Sequence, residues 1–192
     1  MPQVIEGDFR YVFPEGWIAV KFDALSFYID RFQKVKGEKP GEKGPKAVDI
    51  VAYDRSSKLL WLIEAKDYRG DRRTKEISIG QELAEKVCGT LACLMAGRAN
   101  AGETGNVNTD SLWANAVLQQ KVRFVFHLEQ PQTHSKLFPQ SIDPKIVKDI
   151  LERTIHAIDP HPFGGGQVAI NDRGFGWRVD CVSDSVSLEN AR

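Results

Sequence analysis

Two runs of apolar residues near the middle of the first half of the chain indicate a β-hairpin. They cover residues 46–53 and 58–68 and are joined around Ser56 and Ser57. Apolar runs separated by a short polar turn are typical of paired antiparallel strands. Both faces of this hairpin are apolar, so we expect it to lie centrally in a sheet that is covered on both sides.

The pattern before and after the hairpin alternates between strand and helix periods. Ile18, Val20 and Phe22 alternate as in a short strand, and residues 22–32 then repeat at helical spacing. The longest helical pattern runs from Glu76 to about Arg98. The remaining expected elements are a short helix over 109–119, a strand over 121–130, a helix over 143–158, a glycine-rich turn over 160–167 and a strand over 175–183.

The helix over 143–158 has a clear predicted start, because Asp143 is a suitable N-cap and Pro144 would occupy the first helical position. The order of elements predicts an α/β fold with a central mixed β-sheet flanked by helices. We expect a single domain over 1–192, with a core at about 16–130 and a C-terminal helix and strand within 143–183.

Composition indicates a globular protein but does not indicate a binding partner. Of the 192 residues, 42% are hydrophobic, which suffices for a substantial core, and 26 basic residues balance 26 acidic ones. Overall charge therefore gives no sign of a nucleic-acid partner. Neither a signal peptide nor a membrane-spanning run is recognisable, and the three cysteines do not suggest a disulfide framework, so we expect a cytoplasmic location.

Three charged residues interrupt the apolar hairpin and carry the candidate chemistry. If the turn has an even number of residues centred between Ser56 and Ser57, Asp49 lies directly opposite Glu64. Lys66 then shares their face, because side chains alternate along a strand. Two opposed carboxylates at the edge of a dry core need a cation, which a lysine could partly supply and a divalent metal would supply better.

The spacing of these residues resembles a known pattern. Asp49, followed after fourteen residues by Glu64, Ala65 and Lys66, resembles the D-x(n)-E-x-K core of the PD-(D/E)xK nuclease superfamily, which has the restriction-endonuclease-like fold. The predicted element order over the first two-thirds of the chain is similar as well. Val48 departs from the pattern, since it stands where the superfamily's name-giving proline would be.

The resemblance implies roles for individual residues. Asp49 and Glu64 would hold Mg²⁺, which Mn²⁺ could replace, with help from the main-chain carbonyl of Ala65. Lys66 would orient or deprotonate an attacking water, so Asp49, Glu64 and Lys66 are the expected catalytic residues. Asp23 is a further metal-ligand candidate, and Asp30 and Glu15 are candidates after it for the same role. Asp23 fits a helix N-cap equally well.

Basic residues in the loops on either side of the hairpin offer a track for a phosphate backbone. The expected nucleic-acid contacts are Lys46, Arg69, Arg72, Arg73 and Lys75. Solvation of surface loops explains the same charges. Gln81 and Lys86, on the predicted long helix, are candidate auxiliary residues of the site. The four histidines lack the spacing of a zinc site and are interpreted as scattered surface or structural residues.

These expectations favour a Mg²⁺-dependent endonuclease that hydrolyses phosphodiester bonds in DNA with a metal-activated water. The expected partner is nucleic acid, with no membrane association, and the sequence leaves open whether the chain forms a homodimer or has a partner subunit. Two alternatives remain open. One is a non-cleaving module of the same fold that binds nucleic acid or protein and needs another subunit. The other is a structural domain in which the three charges form a buried ion network.

Overall fold

The structure, a computed structural model, describes residues 1–35, 44–70, 73–100, 107–116, 121–131 and 142–182. In the described residues the strands come in groups of one to three, with helices or helical turns between the groups. Within these residues the strands are β1 Gln3–Glu6, β2 Phe9–Val12, β3 Ile18–Lys21, β4 Ile50–Asp54, β5 Leu59–Asp67, β6 Lys121–Glu129, β7 Phe163–Gly165 and β8 Arg178–Cys181. The α-helices are α1 Ile79–Ala99, α2 Val107–Ala116, α3 Pro144–Thr154 and α4 Gln167–Asp172.

The strands form two sheets. A five-stranded sheet has the order β3-β4-β5-β6-β7, in which β3, β4 and β5 are antiparallel neighbours and β5, β6 and β7 are parallel. A second, antiparallel sheet has the order β1-β2-β8. The predicted α/β fold with a mixed sheet is confirmed, whereas the second sheet was not expected. The final predicted strand exists as β8 but belongs to this smaller sheet.

The turn between β4 and β5 fixes the register of the hairpin. Residues 55–58 form the turn, and the strands pair Asp54 with Leu59 and Ile50 with Ile63, as the even-numbered turn predicted. The Asp54 carboxylate accepts hydrogen bonds from the backbone N–H of Ser56 at 2.9 Å and from the Ser57 hydroxyl at 2.5 Å. These bonds close the turn locally, in the manner typical of aspartate before serine.

The two faces of the five-stranded sheet are buried in different hydrophobic cores. On the helix-facing side, Val51, Tyr53, Leu60 and Leu62 pack with residues of α1, α2 and α3. On the other side, the neighbouring hairpin residues pack with the smaller sheet and with α4; they are Ile50, Ala52, Trp61 and Ile63. The expectation of a central hairpin covered on both faces is confirmed. By strand alternation Val48 would share the face of Ile50, but it packs in the helix-facing core instead.

Helix α1 is held close to the hairpin by glycine. Its N-cap is Ser78, whose side chain accepts a hydrogen bond from the Gln81 N–H. A Cβ at Gly89 would lie 2.0 Å from the main-chain oxygen of Lys46, so only glycine allows this approach. The Val48 N–H donates to the Thr90 hydroxyl at 2.9 Å and joins the same helix turn to the start of the hairpin.

Several element boundaries differ from the sequence-based expectation. The helix expected over 22–32 is a succession of short 3₁₀ and π turns, Phe22–Ala24, Phe27–Arg31 and Phe32–Lys34. The predicted N-cap at Asp143 is confirmed, since its side chain accepts from the Lys145 N–H at 2.8 Å. None of the helices in the described ranges is long and apolar enough to cross a membrane.

Candidate functional site

Asp49 and Glu64 meet where the hairpin strands end. Asp49 immediately precedes β4, and one step beyond the last strand pair, Ile50 with Ile63, it lies across from Glu64. The Ala65 N–H donates a hydrogen bond to Asp49 Oδ2 at 2.8 Å, which continues the strand pairing through a side chain. The expected placement of the two carboxylates on one face is therefore confirmed.

Two lysines from different elements converge on these carboxylates. Lys66, on β5, forms an ion pair with Glu64 Oε1, and its Nζ lies 3.9 Å from Asp49 Oδ2. The same ammonium donates to the Ala65 carbonyl oxygen at 3.0 Å. Lys86, on α1, places its Nζ 3.2 Å from Asp49 Oδ1 and 2.5 Å from Glu64 Oε1. We call these four residues, Asp49, Glu64, Lys66 and Lys86, the charged cluster.

Burial makes the protonation of the charged cluster unusual. The Glu64 side chain is fully buried, and this desolvation, together with the neighbouring Asp49 charge, raises the pKa of Glu64 from 4.5 to about 7. The two lysines oppose this shift. Burial alone would lower the pKa of the Lys66 ammonium, but the carboxylates of Glu64 and Asp49 together raise it above its usual range. Lys66 therefore stays charged at neutral pH.

The oxygen atoms of the charged cluster suit a hard cation. Within the described part of the chain, Glu64 Oε2 is buried and has no hydrogen-bond partner, which leaves one carboxylate oxygen able to take a ligand. Asp49, Glu64 and the Ala65 carbonyl are a donor set of the kind that binds Mg²⁺. Among the described residues there is no group of three or more Asp, Glu, His or Cys side chains arranged for a metal.

Asp23 does not complete such a group in this structure. It lies in the 3₁₀ turn Phe22–Ala24, whose N-cap is Lys21, and therefore does not cap a helix as the alternative interpretation proposed. Burial, followed by the charge of Asp49, raises the pKa of Asp23. Asp23 is thus near enough to sense the charged cluster electrostatically. Its role as a metal ligand, like those of Asp49, Glu64 and Ala65, stays a prediction.

The expected phosphate-binding residues that the structure describes have acidic partners. Lys46 pairs with Glu85 at 2.7 Å, and Arg69 pairs with Asp67 at 2.5 Å. Arg73 lies 3.0 Å from Glu82, which is fully buried and also paired with Lys75. Arg72 falls outside the described residues. The basic loops are therefore partly neutralised by their own surroundings, and their role in nucleic-acid binding stays a prediction.

The two auxiliary candidates lie in different places. Lys86 reaches the centre of the charged cluster, as described above. The side-chain amide of Gln81 donates to Glu85 Oε1 at 3.1 Å on the exposed side of α1, in the i,i+4 arrangement of helix-surface pairs. Lys86 is therefore the residue of this helix that shares the site with the hairpin carboxylates.

A second buried polar group lies on the other face of the sheet. Tyr11 of β2 hydrogen-bonds His127 Nδ1, and His127 Nε2 lies 3.1 Å from Glu129 Oε1. Burial, with added effects from nearby carboxylates, raises the pKa of the Tyr11 phenol and keeps it protonated. With His127 as the neutral tautomer protonated at Nε2, the imidazole donates to Glu129 and its Nδ1 accepts from the Tyr11 O–H. Sequence inspection missed this group and interpreted His127 as a scattered histidine. No local spacing links residues so far apart in the chain.

A cavity of about 390 Å³ joins these two regions. Lys66 of the charged cluster and its neighbour Ala65 line it, and His127 lines it from the second polar group. Glu6, Asp8 and Asp67 add acidic side chains, and Phe9 adds an aromatic one. Lys66 is thus the member of the charged cluster that borders an open space large enough for a small molecule or part of a larger ligand.

The chain matches no protein-family model and no solved structure. It is similar to the cysteine–tRNA ligase of Neisseria meningitidis serogroup A / serotype 4A (strain DSM 15465 / Z2491), with 29% identity over 167 residues. The aligned region covers 74% of this chain and 23% of the relative, so the chain spans about a quarter of the relative's length.

This similarity corrects the expected activity and partner. The relative is an enzyme that joins an amino acid to tRNA, which conflicts with the expectation of a DNA-cleaving, metal-dependent endonuclease. The descriptions nuclease, endonuclease and hydrolase are therefore wrong, and so is DNA as the expected partner. The charges that suggested them are present and clustered, but such a cluster does not by itself fix the ligand or the reaction.

Proposed function

We propose that this chain is a tRNA-binding module that works within or beside an enzyme of tRNA aminoacylation. The observation that carries the proposal is the similarity to cysteine–tRNA ligase along most of the chain. Because the chain spans only about a quarter of that relative, we propose a contribution to RNA binding rather than the complete ligase reaction. The relative is an enzyme, which is consistent with an enzymatic role for this chain.

The geometry supports a phosphate-binding surface around the charged cluster. Lys46, Arg69 and Lys75 lie on the segments that enter and leave the hairpin, and each side chain is at least 40% exposed. All three are paired with acidic residues, so an RNA phosphate would have to exchange with those partners. Such contacts are sensitive to salt, because each phosphate that is neutralised releases counterions.

We propose Mg²⁺ as the cofactor of the same region. Asp49, Glu64 and the Ala65 carbonyl would hold it, and the unpartnered Glu64 Oε2 supports this assignment. When bound, Mg²⁺ supplies a concentrated positive charge that attracts phosphate oxygens. Lys66, at the border of the cavity, would orient a phosphate or ribose group that enters the cavity.

The PD-(D/E)xK resemblance is retained as a proposal about architecture alone. The observed hairpin register, the burial of both sheet faces and the order of β4, β5, α1 and β6 support it. A fold of this kind can carry many functions, so the resemblance does not decide the activity.

Fluorescence anisotropy with labelled RNA tests the proposed function. We expect a tRNA for cysteine to bind at least about tenfold more tightly than a DNA duplex of equal charge at 150 mM salt, with affinity that falls as salt rises. The tRNA should be recovered at full length on a denaturing gel. The double variant Lys46→Ala with Lys75→Ala should bind more weakly and with a shallower salt dependence.

Lys148→Ala is the matched control, since Lys148 is an exposed lysine of α3 that pairs with Glu152 and is not a member of the charged cluster. It should bind tRNA like the unmodified protein. Equal affinity for tRNA and the DNA duplex, or no binding to tRNA, would overturn the proposal.

A further inference from the structure

Lys86 occupies the position between the two buried carboxylates. Its Nζ lies 3.2 Å from Asp49 Oδ1 and 2.5 Å from Glu64 Oε1, and its side chain is only 13% exposed. A cation that is shared by two carboxylate oxygens at such distances stands where a divalent metal ligated by both groups would be expected. An ammonium of the protein therefore fills the position that the cofactor would need.

Charge balance opposes occupation of this position by the divalent metal and the Lys86 ammonium at the same time. Lys66 and Lys86 carry two positive charges and Asp49 and Glu64 carry two negative ones, so the charged cluster is neutral with Glu64 ionised. Adding a divalent cation would leave a net charge of plus two in a largely buried place, which is strongly unfavourable, and the departure of one ammonium lowers that net charge to plus one. Binding of the metal thus requires an ammonium to leave.

The contacts of the two lysines indicate which one leaves. Lys66 is held by an additional hydrogen bond to the Ala65 carbonyl at 3.0 Å and is fixed on a central strand. Within the described residues, the ion pairs and hydrogen bonds of Lys86 Nζ are those to Asp49 and Glu64. Its long side chain can rotate away from the helix toward solvent while α1 stays in place.

We infer that Lys86 is an internal competitor for the metal position, so that a divalent cation binds Asp49 and Glu64 only when the Lys86 ammonium moves out. This inference rests on the Mg²⁺ site that forms part of the proposed function. It adds that the affinity of the site for metal is set by a residue that is not itself a ligand. The metal would replace Lys86 at Glu64 Oε1, and if Glu64 binds through both oxygens, the buried Oε2, unpartnered among the described residues, also gains a partner.

Mn²⁺ binding without RNA tests the inference, followed by isothermal titration calorimetry and electron paramagnetic resonance. We expect Lys86→Met to bind one Mn²⁺ at least tenfold more tightly than the unmodified protein, because methionine keeps the apolar stem and removes the charge. Adding Glu64→Gln to Lys86→Met should abolish this binding. Lys148→Met is the matched control and should leave the affinity unchanged. Equal or weaker binding by Lys86→Met would overturn the inference.

A second measurement uses the unmodified protein, in case the variant folds poorly. Limited acetylation with acetic anhydride, read by mass spectrometry, reports how accessible each lysine is. We expect acetylation of Lys86 to rise at least fivefold as Mg²⁺ saturates the protein, while acetylation of Lys148 stays constant. Unchanged or reduced acetylation of Lys86 would contradict the inference. Since neither experiment contains RNA, failure to bind tRNA leaves their outcome intact and tells the two proposals apart.

Discussion

The Ala65 N–H donates to Asp49 Oδ2 at 2.8 Å, so a side chain continues the strand pairing where the backbone of β4 has already ended. Asp49 thereby holds the β5 segment that presents Glu64 and Lys66, in addition to facing Lys86. This double role means that its charge and its hydrogen-bonding capacity can be separated by mutation.

We expect Asp49→Ala to lower the free energy of unfolding by about 1–3 kcal/mol, because the Ala65 N–H and the Lys86 ammonium both lose a partner. Asp49→Asn keeps an oxygen acceptor for the amide and should cost less. Urea denaturation measures both values. Asp149→Ala, at an exposed position of α3, serves as the control and should stay within about 0.5 kcal/mol of the unmodified protein. Equal losses for Asp49→Ala and Asp49→Asn would contradict the role of the hydrogen bond.

The stability of the protein should depend on pH through Glu64. Its pKa is raised from 4.5 to about 7, so between these values the folded protein binds more protons than the unfolded chain. Stability therefore falls as the pH rises from about 4.5 to about 7 and then levels, by an amount on the order of 3 kcal/mol.

Comparison with Glu64→Gln isolates this contribution, since glutamine does not titrate. Chemical denaturation across pH 4.5 to 8 should show the difference in unfolding free energy shifting in favour of the variant as the pH rises. The unfolding free energy of Glu152→Gln, a substitution at an exposed site, should change with pH in parallel with that of the unmodified protein. Parallel curves for Glu64→Gln as well would show that Glu64 does not titrate in this range.

The contact between α1 and the start of the hairpin should tolerate no side chain at Gly89. A Cβ there would lie 2.0 Å from the Lys46 carbonyl oxygen, which belongs to the backbone and cannot rotate away. We expect Gly89→Ala to lower the free energy of unfolding by about 2 kcal/mol, despite the better helix propensity of alanine. Thermal and urea unfolding check this value.

Gly70→Ala is the matched control for that substitution. No described atom lies within 4 Å of a Cβ at Gly70, and its φ is not positive. Alanine there should be neutral or stabilise the protein by about 0.5 kcal/mol, through the reduced entropy of the unfolded chain. A similar loss at both glycines would argue against a steric cause at Gly89.

The buried Glu82 should be strongly coupled to Arg73. Its carboxylate is fully buried and pairs with Arg73 at 3.0 Å and with Lys75. In a double-mutant cycle with Arg73→Met and Glu82→Met, we expect a coupling energy of at least about 1 kcal/mol, because each single variant leaves a charge without its partner.

The exposed pair of Lys148 and Glu152 on α3 provides the comparison cycle. Its atoms lie 3.7 Å apart at i,i+4 spacing, and such pairs are worth about 0.3–0.5 kcal/mol. Urea denaturation of all variants gives both coupling energies. If the Arg73 and Glu82 cycle shows no more coupling than this exposed pair, burial does not strengthen that contact.

The features of the fold that depend on residues close together in the sequence could be predicted from the sequence. The register of the hairpin followed from the length of one turn and the period of two strands, and the structure pairs Ile50 with Ile63 accordingly. The start of α3 could also be predicted, because Asp143 is a suitable N-cap and Pro144 suits the first helical turn. The charged cluster could be anticipated in part, since Asp49, Glu64 and Lys66 lie on those paired strands.

The remaining features depend on contacts that the sequence pattern does not encode locally. The position of Lys86 depends on the orientation of α1 relative to the hairpin. The contacts of Gly89 and Thr90 with the start of the hairpin determine that orientation. The pair of Tyr11 and His127 joins two sheets, and the sheet of β1, β2 and β8 combines segments from opposite ends of the described chain. Its four-residue strands carry too short a pattern for periodicity to identify.

The five-stranded sheet separates two hydrophobic cores, so the tryptophan side chains lie in two distinct environments. Of the four tryptophans, Trp17, Trp61 and Trp177 gather on the face away from the charged cluster, with the rings of Trp61 and Trp177 5.7 Å apart. Trp113 packs alone among them in the helix-facing core, against Phe22 and Phe27. Fluorescence from Trp113 therefore reports on the side that holds Asp49 and Glu64, while coupled indole transitions in circular dichroism report on the side that holds His127.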